Sequence, residues 1–212
     1  MRPKNLLLRI PDKTPFHPAF PLPEPAARAI LLPALRILAV LLVASMMLAS
    51  CKAAPYECSD PLGCLKISSN GQVLIGALLA TSGDQRPLGT SSLENVKKAL
   101  TEKDNLFTHS IQLITFGTDC TAGSAQTAAT EFAIYANMAA VIGPTCREEV
   151  AAASPILLNA GIPLIGPVLN SAAAYALTTQ VLAAIQKVTV RIPDGTLYIP
   201  RQALLSALNL SR

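Results

Sequence analysis

The chain has 212 residues, a length typical of one domain or two, and 51% of them are hydrophobic. Its formal charge of +4 comes from the first fifty residues, which carry six Lys or Arg and two Asp or Glu, whereas residues 51–212 carry eleven of each. The lack of a basic stripe and of Trp argues against nucleic-acid binding, and the two separate histidines, His17 and His109, argue against a His-based metal site or a Ser/His triad.

Residues 1–50 are predicted to be a leader and signal peptide. Residues 1–27 contain a proline every few positions and cannot build a core. The apolar run Ile37–Ala49 suits the hydrophobic region of a signal peptide better than a bilayer span. The run ends in Leu48–Cys51, which resembles the bacterial lipobox, where the cysteine is lipidated and becomes the new N-terminus. We expect lipid on Cys51 to hold the protein on the outer face of the bacterial cell membrane; a plain secretory signal or an uncleaved anchor is the alternative.

Residues 51–70 are predicted to be a short tether that carries two of the four remaining cysteines. An even number of cysteines in an exported chain suggests two disulfides, and four cysteines allow three pairings. We favour Cys58–Cys64, which closes a small loop with turn residues. We also favour Cys120–Cys146, which would join the ends of the second and third predicted strands as neighbours in a sheet. The cysteine spacing is not that of a zinc site, and no metal is expected.

Four apolar runs follow, and each ends in a loop of small residues and leads into a helical pattern. The runs are Val73–Leu79, Ile111–Phe116, Ala139–Ile142 and Pro163–Ile165; the helices are Ser91–Leu106, Thr121–Asn137, Arg147–Asn159 and a segment from about Ala172. The third run ends in Gly143-Pro144-Thr145-Cys146, as a buried parallel strand does when its carboxyl end opens onto a crevice. The pattern predicts half of a doubly wound parallel α/β sheet, with any ligand at the loop ends.

Residues 179–212 predict a different unit, a helix, a hairpin and a second helix. The segment Thr179–Val188 predicts a helix, the turn Pro193-Asp194-Gly195 separates two short strands, and Arg201–Leu208 follows as a second helix.

Several short segments occur in an order that allows a family to be named. They are Ile75–Ala77, Ser82–Gly83, Gly89, Val141–Pro144, Cys146, Pro155–Leu157, Ala160–Ile165 and Leu177–Thr178. Together they resemble the N-terminal lobe of type I periplasmic solute-binding proteins, the leucine/isoleucine/valine-binding kind linked to ABC transporters. The resemblance covers residues 71–178, and residues 179–212 resemble a late fragment of the same family. We therefore expect a single lobe, with the second lobe deleted between these parts.

The resemblance also implies a ligand site and no cofactor. In the family, the first lobe holds the α-amino and α-carboxylate groups of its ligand. The matching positions are Leu88 after the first strand, Cys146 and Arg147 after the third, and Ser171, Ala172 and Ala173 after the fourth. An aromatic residue is common in place of Leu88, a Ser hydroxyl in place of Arg147 and a Thr hydroxyl in place of Ala173. Two binding hydroxyls are thus missing, and Arg147 either pairs with a carboxylate or is a solvated helix residue.

The function implied is that of a truncated, lipid-anchored component that binds an amino acid or related solute for an ABC permease, by lobe closure without chemistry. The alternative is a degenerate relic, or a sensor or interaction lobe, because one lobe buries little of a ligand. An enzyme is not expected, since no dinucleotide fingerprint, P-loop or nucleophile elbow follows a strand. The carboxylates Asp84, Asp119 and Glu131 are expected to be capping or surface groups.

Replacing Cys51 with Ala should leave the protein unacylated and release it from membranes, because the Cys51 thiol is the predicted site of lipid attachment. Labelling with a fatty-acid analogue, followed by membrane fractionation, would measure both effects. A Ser50→Ala control keeps a small residue before the cysteine and should remain acylated. Acylation that survives Cys51→Ala would show that the lipobox interpretation is wrong.

Overall fold

The computed structural model describes residues 36–42 and 55–210 of the chain. These fall into two units, divided between Pro55 and Tyr56. In the first unit, residues 36–42 form a helix, α1, with exposed apolar side chains. None of the helices within the described residues is long and apolar enough to cross a membrane. The rest of the predicted leader and signal peptide, residues 1–35 and 43–50, and the predicted lipidation site Cys51 lie outside the described residues.

The second unit is built on a five-stranded sheet in the order β3-β4-β2-β5-β6. Its strands are β2 (Val73–Ala80), β3 (Asn105–Leu106), β4 (His109–Thr118), β5 (Met138–Ile142) and β6 (Leu164–Ile165). Strands β4, β2, β5 and β6 run parallel, and only the short edge strand β3 is antiparallel. All positions of β2 and β5 are buried, as the uninterrupted apolar runs predict for strands covered on both faces.

Helices cover both faces of this sheet, which confirms the predicted doubly wound arrangement. The helices are α2 (Arg86–Lys103), α3 (Ala122–Ala133), α4 (Arg147–Asn159), α5 (Ser171–Val188) and α6 (Arg201–Ala207). Helices α2 and α5 pack together over one core cluster, and α3 and α4 pack together over the other. Successive side chains of β2 point to opposite faces of the sheet. Ile75 therefore belongs to the cluster under α2 and α5, and Leu78 belongs to the cluster under α3 and α4.

A second, three-stranded sheet joins the two ends of the unit. Its strands are β1 (Cys64–Ile67), β7 (Val190–Arg191) and β8 (Leu197–Pro200), in the order β1-β8-β7. Strand β1 lies within the predicted tether, yet Leu65 and Ile67 are buried in the same core cluster as Leu197 and Ile199. The predicted hairpin and final helix are present as β7, β8 and α6, but they complete the core together with β1.

The loop before β1 is fixed to the last helix by the carboxylate of Asp60. This carboxylate accepts hydrogen bonds from the backbone N–H groups of Gln202 and Ala203, at 3.1 and 3.2 Å, in the first turn of α6. It also accepts from the N–H of Leu62 at 2.9 Å. The predicted disulfide Cys58–Cys64 closes this same loop. The carboxylate therefore acts as the N-terminal cap of a helix that is far away in sequence.

Arg201 attaches the C-terminal segment to α4. Its guanidinium Nη1 donates to the carbonyl of Ala160 at 2.5 Å, at the C-terminal end of α4, where a cation is favoured. The desolvation that accompanies this contact lowers the pKa of Arg201. Gly161 has φ +71°, and a Cβ there would lie 1.7 Å from Arg201 Nη1. Glycine is thus required at this position both by the turn and by the arginine.

Three helices differ from the sequence-based expectation. Helix α3 ends at Ala133, four residues before the predicted Asn137, and α2 ends at Lys103, so that Leu106 lies in β3 and not in a helix. Helix α2 begins at Arg86, five residues earlier than predicted, because Gly89 lies inside its first turn and has no side chain to collide with the end of β2. Helix α5 runs unbroken from Ser171 to Val188 and crosses the predicted boundary at residue 178. The segments on either side of that boundary therefore form one helix.

An Asp60→Ala change should lower the free energy of unfolding by about 1–2 kcal/mol, the usual cost of losing a helix cap. Urea unfolding followed by circular dichroism would measure this effect. Asp84→Ala is the matched control, because Asp84 is exposed and makes no hydrogen bond within the described residues. Equal stability of the two variants would contradict the capping role of Asp60.

Candidate functional site

The candidate site lies at the carboxyl ends of β2, β5 and β6. The chain runs from β2 to β4 on one side and then returns to β5 on the other side of β2. Loops that leave neighbouring strands in opposite directions open a crevice at such a switch point, where doubly wound proteins bind their ligands. The sequence predicted a site at these loop ends, and the strand order places the switch point between β2 and β5.

The loops after β5 and β6 approach each other very closely. The N–H of Gly143 donates to the carbonyl of Ile165 at 2.9 Å, and the N–H of Val168 donates to the carbonyl of Pro144 at 2.7 Å. A Cβ on Gly143, whose φ is +130°, would lie 2.0 Å from the carbonyl oxygen of Leu78. Only glycine allows this approach, so the Gly-Pro pattern seen in the sequence is a packing requirement. The peptide bond that follows Gly143 is cis.

Thr145 holds the loop after β5 against the end of β2. The last ladder pair between β2 and β5 is Ala77 with Ile142, so β2 extends beyond its partner. The N–H of Ala80 finds an acceptor in Thr145 Oγ1 at 3.0 Å, and the threonine is buried. The hydroxyl therefore replaces the ladder partner that β5 no longer provides.

The disulfide Cys120–Cys146 is present as predicted, but the reason given for it was wrong. Strands β4 and β5 are not neighbours, because β2 lies between them. The disulfide instead bridges across the carboxyl end of β2, with the two Cα atoms 5.4 Å apart. The loops after β4 and β5 must both lean over β2 to bring the cysteines this close.

The predicted ligand residues after β5 and β6 occupy the starts of two helices. Cys146 is the N-cap of α4 and Arg147 is its first residue. Ser171, Ala172 and Ala173 form the first turn of α5. Because β5 and β6 are adjacent and parallel, these helix starts lie side by side at one edge of the sheet. The Arg147 side chain is exposed and has no ion pair or hydrogen bond within the described residues.

Some of the backbone donors at this edge already have partners. The N–H of Ala173 donates to Asn170 Oδ1, which caps α5, at 2.8 Å. The N–H of Cys146 donates to Glu149 Oε2 at 3.3 Å. The first helical N–H groups, those of Arg147 and Ser171, have no acceptor within the described residues, as is normal for the start of a helix.

Leu88, the predicted contact after the first strand, lies in the first turn of α2 and is half-buried. The next residue, Gly89, packs directly on the end of β2, since a Cβ there would lie 1.8 Å from the carbonyl oxygen of Ala80. This contact places the start of α2 at the same edge as the other predicted residues.

Glu149 is a residue of this region for which the sequence analysis predicted no site role. Its side chain is fully buried, and its Oε1 atom has no hydrogen-bond partner within the described residues. Its position three residues after the N-cap Cys146 is the spacing of a capping box, and that signal could have indicated an inward orientation.

The scattered carboxylates are capping or surface groups, as expected. Asp119 accepts from the backbone N–H and the hydroxyl of Thr121, at 3.1 and 2.7 Å, ahead of α3. The neighbouring Ser124 and Thr121 hydroxyls hold the pKa of Asp119 below its usual value. The carboxylates of Asp84 and Glu131 are exposed and make no hydrogen bond or ion pair within the described residues.

Comparison with known families identifies the fold. The model of the receptor family ligand-binding region matches residues 96–197, from α2 to the start of β8. The second unit has the fold of one lobe of a type I periplasmic binding protein. The match crosses the junction at residue 178 and extends through β7 to the first residue of β8.

Solved structures with similarity to this lobe include three bacterial binding proteins. The branched-chain amino acid transporter substrate-binding protein LivJ from Streptococcus pneumoniae, in complex with isoleucine, is 23% identical over 44% of this chain and 28% of that one, with a TM-score of 0.42. The leucine-binding protein LivK from Thermotoga maritima is 23% identical over 43% of this chain and 26% of that one, with a TM-score of 0.41. An ABC transporter substrate-binding protein from Sphaerobacter thermophilus is 26% identical over 44% of this chain and 25% of that one, with a TM-score of 0.41. The chain thus spans little more than a quarter of the length of these proteins. No curated protein matches the chain.

A Thr145→Val change should lower the free energy of unfolding by about 1–3 kcal/mol, because it keeps the side-chain shape but leaves the buried Ala80 N–H without an acceptor. Chemical unfolding would measure the loss. Thr127→Val on the exposed face of α3 is the matched control, because its hydroxyl bonds only to the carbonyl of Gly123. A loss no larger than that of the control would mean that Thr145 does not hold the two strands together.

Proposed function

We propose that the chain is a lipid-anchored solute-binding lobe that supplies an amino acid or related solute to an ABC permease, with no chemistry of its own. The observation that carries this proposal is the pairing of two helix starts at the switch point. Arg147 and Ser171 are the first residues of helices that follow adjacent parallel strands, and their N–H groups have no acceptor within the described residues. Partial positive charge concentrated at one edge suits the carboxylate of an amino acid.

The side chains around this edge support the same solute class. Arg147 is exposed and unpaired within residues 55–210, and its guanidinium can bind a carboxylate with two hydrogen bonds. Leu88 is half-buried at the start of α2 and can contact an apolar side chain of the solute. The amino acid class itself rests on the resemblance of residues 71–178 to the leucine/isoleucine/valine-binding family.

The anchoring and the domain division are parts of the same proposal. Lipid on Cys51 would place the lobe on the outer face of the cell membrane, next to a permease. We retain the division into leader and signal peptide (1–50), tether (51–70), lobe (71–178) and C-terminal fragment (179–212) as a description of ancestry, with a second lobe lost between the last two. The packing of β1 against β8 means that three of these segments now share one core.

One specific observation favours a second function. In this alternative the chain is an interaction or sensor lobe, or a relic, and binds no solute. The N–H groups of Cys146 and Ala173 are already bound, to Glu149 and Asn170. Together with the missing hydroxyls at positions 147 and 173, these bonds reduce the number of groups left for a solute.

Isothermal titration with leucine, isoleucine, valine and a wider amino acid panel separates the two functions. A solute-binding lobe should bind at least one of them with a dissociation constant on the order of micromolar. Restoring one hydroxyl with Ala173→Thr should then tighten binding by about tenfold, the value of one good hydrogen bond.

Ala176→Thr is the matched control, because it adds the same hydroxyl to an exposed position of α5 away from its first turn. A protein that circular dichroism shows to be folded, but that binds no member of the panel with or without the restored hydroxyl, would contradict the solute-binding proposal. That result would favour the interaction lobe or relic.

A further inference from the structure

We propose that the reduced form of the Cys120–Cys146 pair, together with Glu149, binds a thiophilic divalent cation of the zinc class. The site does not depend on solute binding. It runs against the expectation from the cysteine spacing, because the three ligands come from two loops and a helix and are brought together only by the fold.

The geometry brings three ligand atoms of the right types together. The two cysteine sulfur atoms and a carboxylate oxygen of Glu149 all lie within 4.8 Å of one another. Zinc binds thiolate sulfur at about 2.3 Å and carboxylate oxygen at about 2.0–2.2 Å, with a fourth position left for water. Ligand atoms this close can therefore surround one ion once the sulfur atoms separate to make room for it.

The carboxylate of Glu149 is the observation that points to a ligand. It is fully buried, and only Oε2 has a partner, the N–H of Cys146. Oε1 is buried without a hydrogen-bond partner in the part of the chain that the structure describes. A buried carboxylate oxygen without a partner costs free energy, and a cation beside it would remove that cost.

The surroundings favour negatively charged sulfur at this place. Cys146 is the N-cap of α4, where the helix start stabilises a thiolate. Cys120 is only partly buried, so an ion can reach the pair from its side. The nearby side chains of Arg147 and Glu148 are exposed and oppositely charged, so together they add no net charge beside the pair.

The chemistry has two steps. A dithiol reductant gives two electrons and two protons to the Cys120–Cys146 bond, which breaks into two thiols while the reductant becomes a cyclic disulfide. The cation then replaces the two thiol protons, which go to solvent, and accepts a lone pair from Glu149 without breaking a bond. The oxidised pair has no thiolate to offer, so cation binding reports the redox state.

The test uses the full chain with Cys51→Ser, Cys58→Ser and Cys64→Ser, so that the pair at 120 and 146 supplies the only thiols. The protein is reduced with a phosphine, which leaves as its oxide with the oxygen of water, and is then titrated without oxygen with Cd²⁺. The ultraviolet cadmium–thiolate band should saturate at one equivalent, and the oxidised protein should show no band. Competition with a chromophoric chelator gives the affinity.

Glu149→Gln should weaken Cd²⁺ binding by about tenfold or more, because an amide is a poorer ligand but still accepts the capping hydrogen bond. Glu148→Gln, the exposed neighbour, should bind as the parent does. Absence of the band, or equal affinities of the two variants, would overturn the proposal. If reduction unfolds the protein, Cd²⁺ should restore its circular dichroism, since binding then provides folding free energy; failure to restore it would also overturn the proposal.

Discussion

The complete burial of β2 is the constraint on which the rest of the lobe depends. Strands on both sides and helices on both faces exclude water from it, so each of its backbone groups needs a partner inside the protein. Where β5 ends too early to pair with Ala80, the hydroxyl of Thr145 takes over. This bond draws the loop after β5 across the end of β2. The same path brings Cys146 to Cys120 and places the start of α4 at the crevice.

The second feature that shapes the molecule is the union of its two ends. Strand β1 pairs with β8, and Asp60 caps α6. The buried side chains of β1 and β8 belong to the core cluster that also contains residues of β2 and α5. The C-terminal segment is therefore part of the lobe's core. A lobe built in this way covers the face of the sheet on which α2 and α5 lie without help from a second domain.

Much of this architecture could be predicted from the sequence, because local signals were strong where burial is complete. The apolar runs of β2 and β5 and the start of α4 at Arg147 could be predicted without tertiary information. Strand β1 was missed because its four residues alternate between buried and exposed and are too few to stand out beside turn residues. The early start of α2 was missed because Gly89 normally marks a loop, and only its contact with Ala80 explains it.

Some features of the candidate site could likewise be predicted from local sequence, and others depend on how the elements pack. The Gly-Pro-Thr-Cys pattern predicted the end of a buried strand, which β5 confirms, but the contacts that require Gly143 are made with β2 and with the loop after β6. The order of the strands is not a local property, so the correct cysteine pairing was supported by a wrong neighbour relation. The buried orientation of Glu149 also depends on how α4 packs, and a helix-start glutamate is more often a solvated charge.

The pairing of β1 with β8 has a consequence for how the protein is made. These strands are separated by almost the whole length of the second unit, so their contact carries a larger loop-closure cost than local contacts do. During synthesis, β1 leaves the ribosome long before its partner β8 is made. Until β8 follows, β1 has an open strand edge and its apolar side chains are uncovered, and that interval is when a chaperone or a protease would meet them.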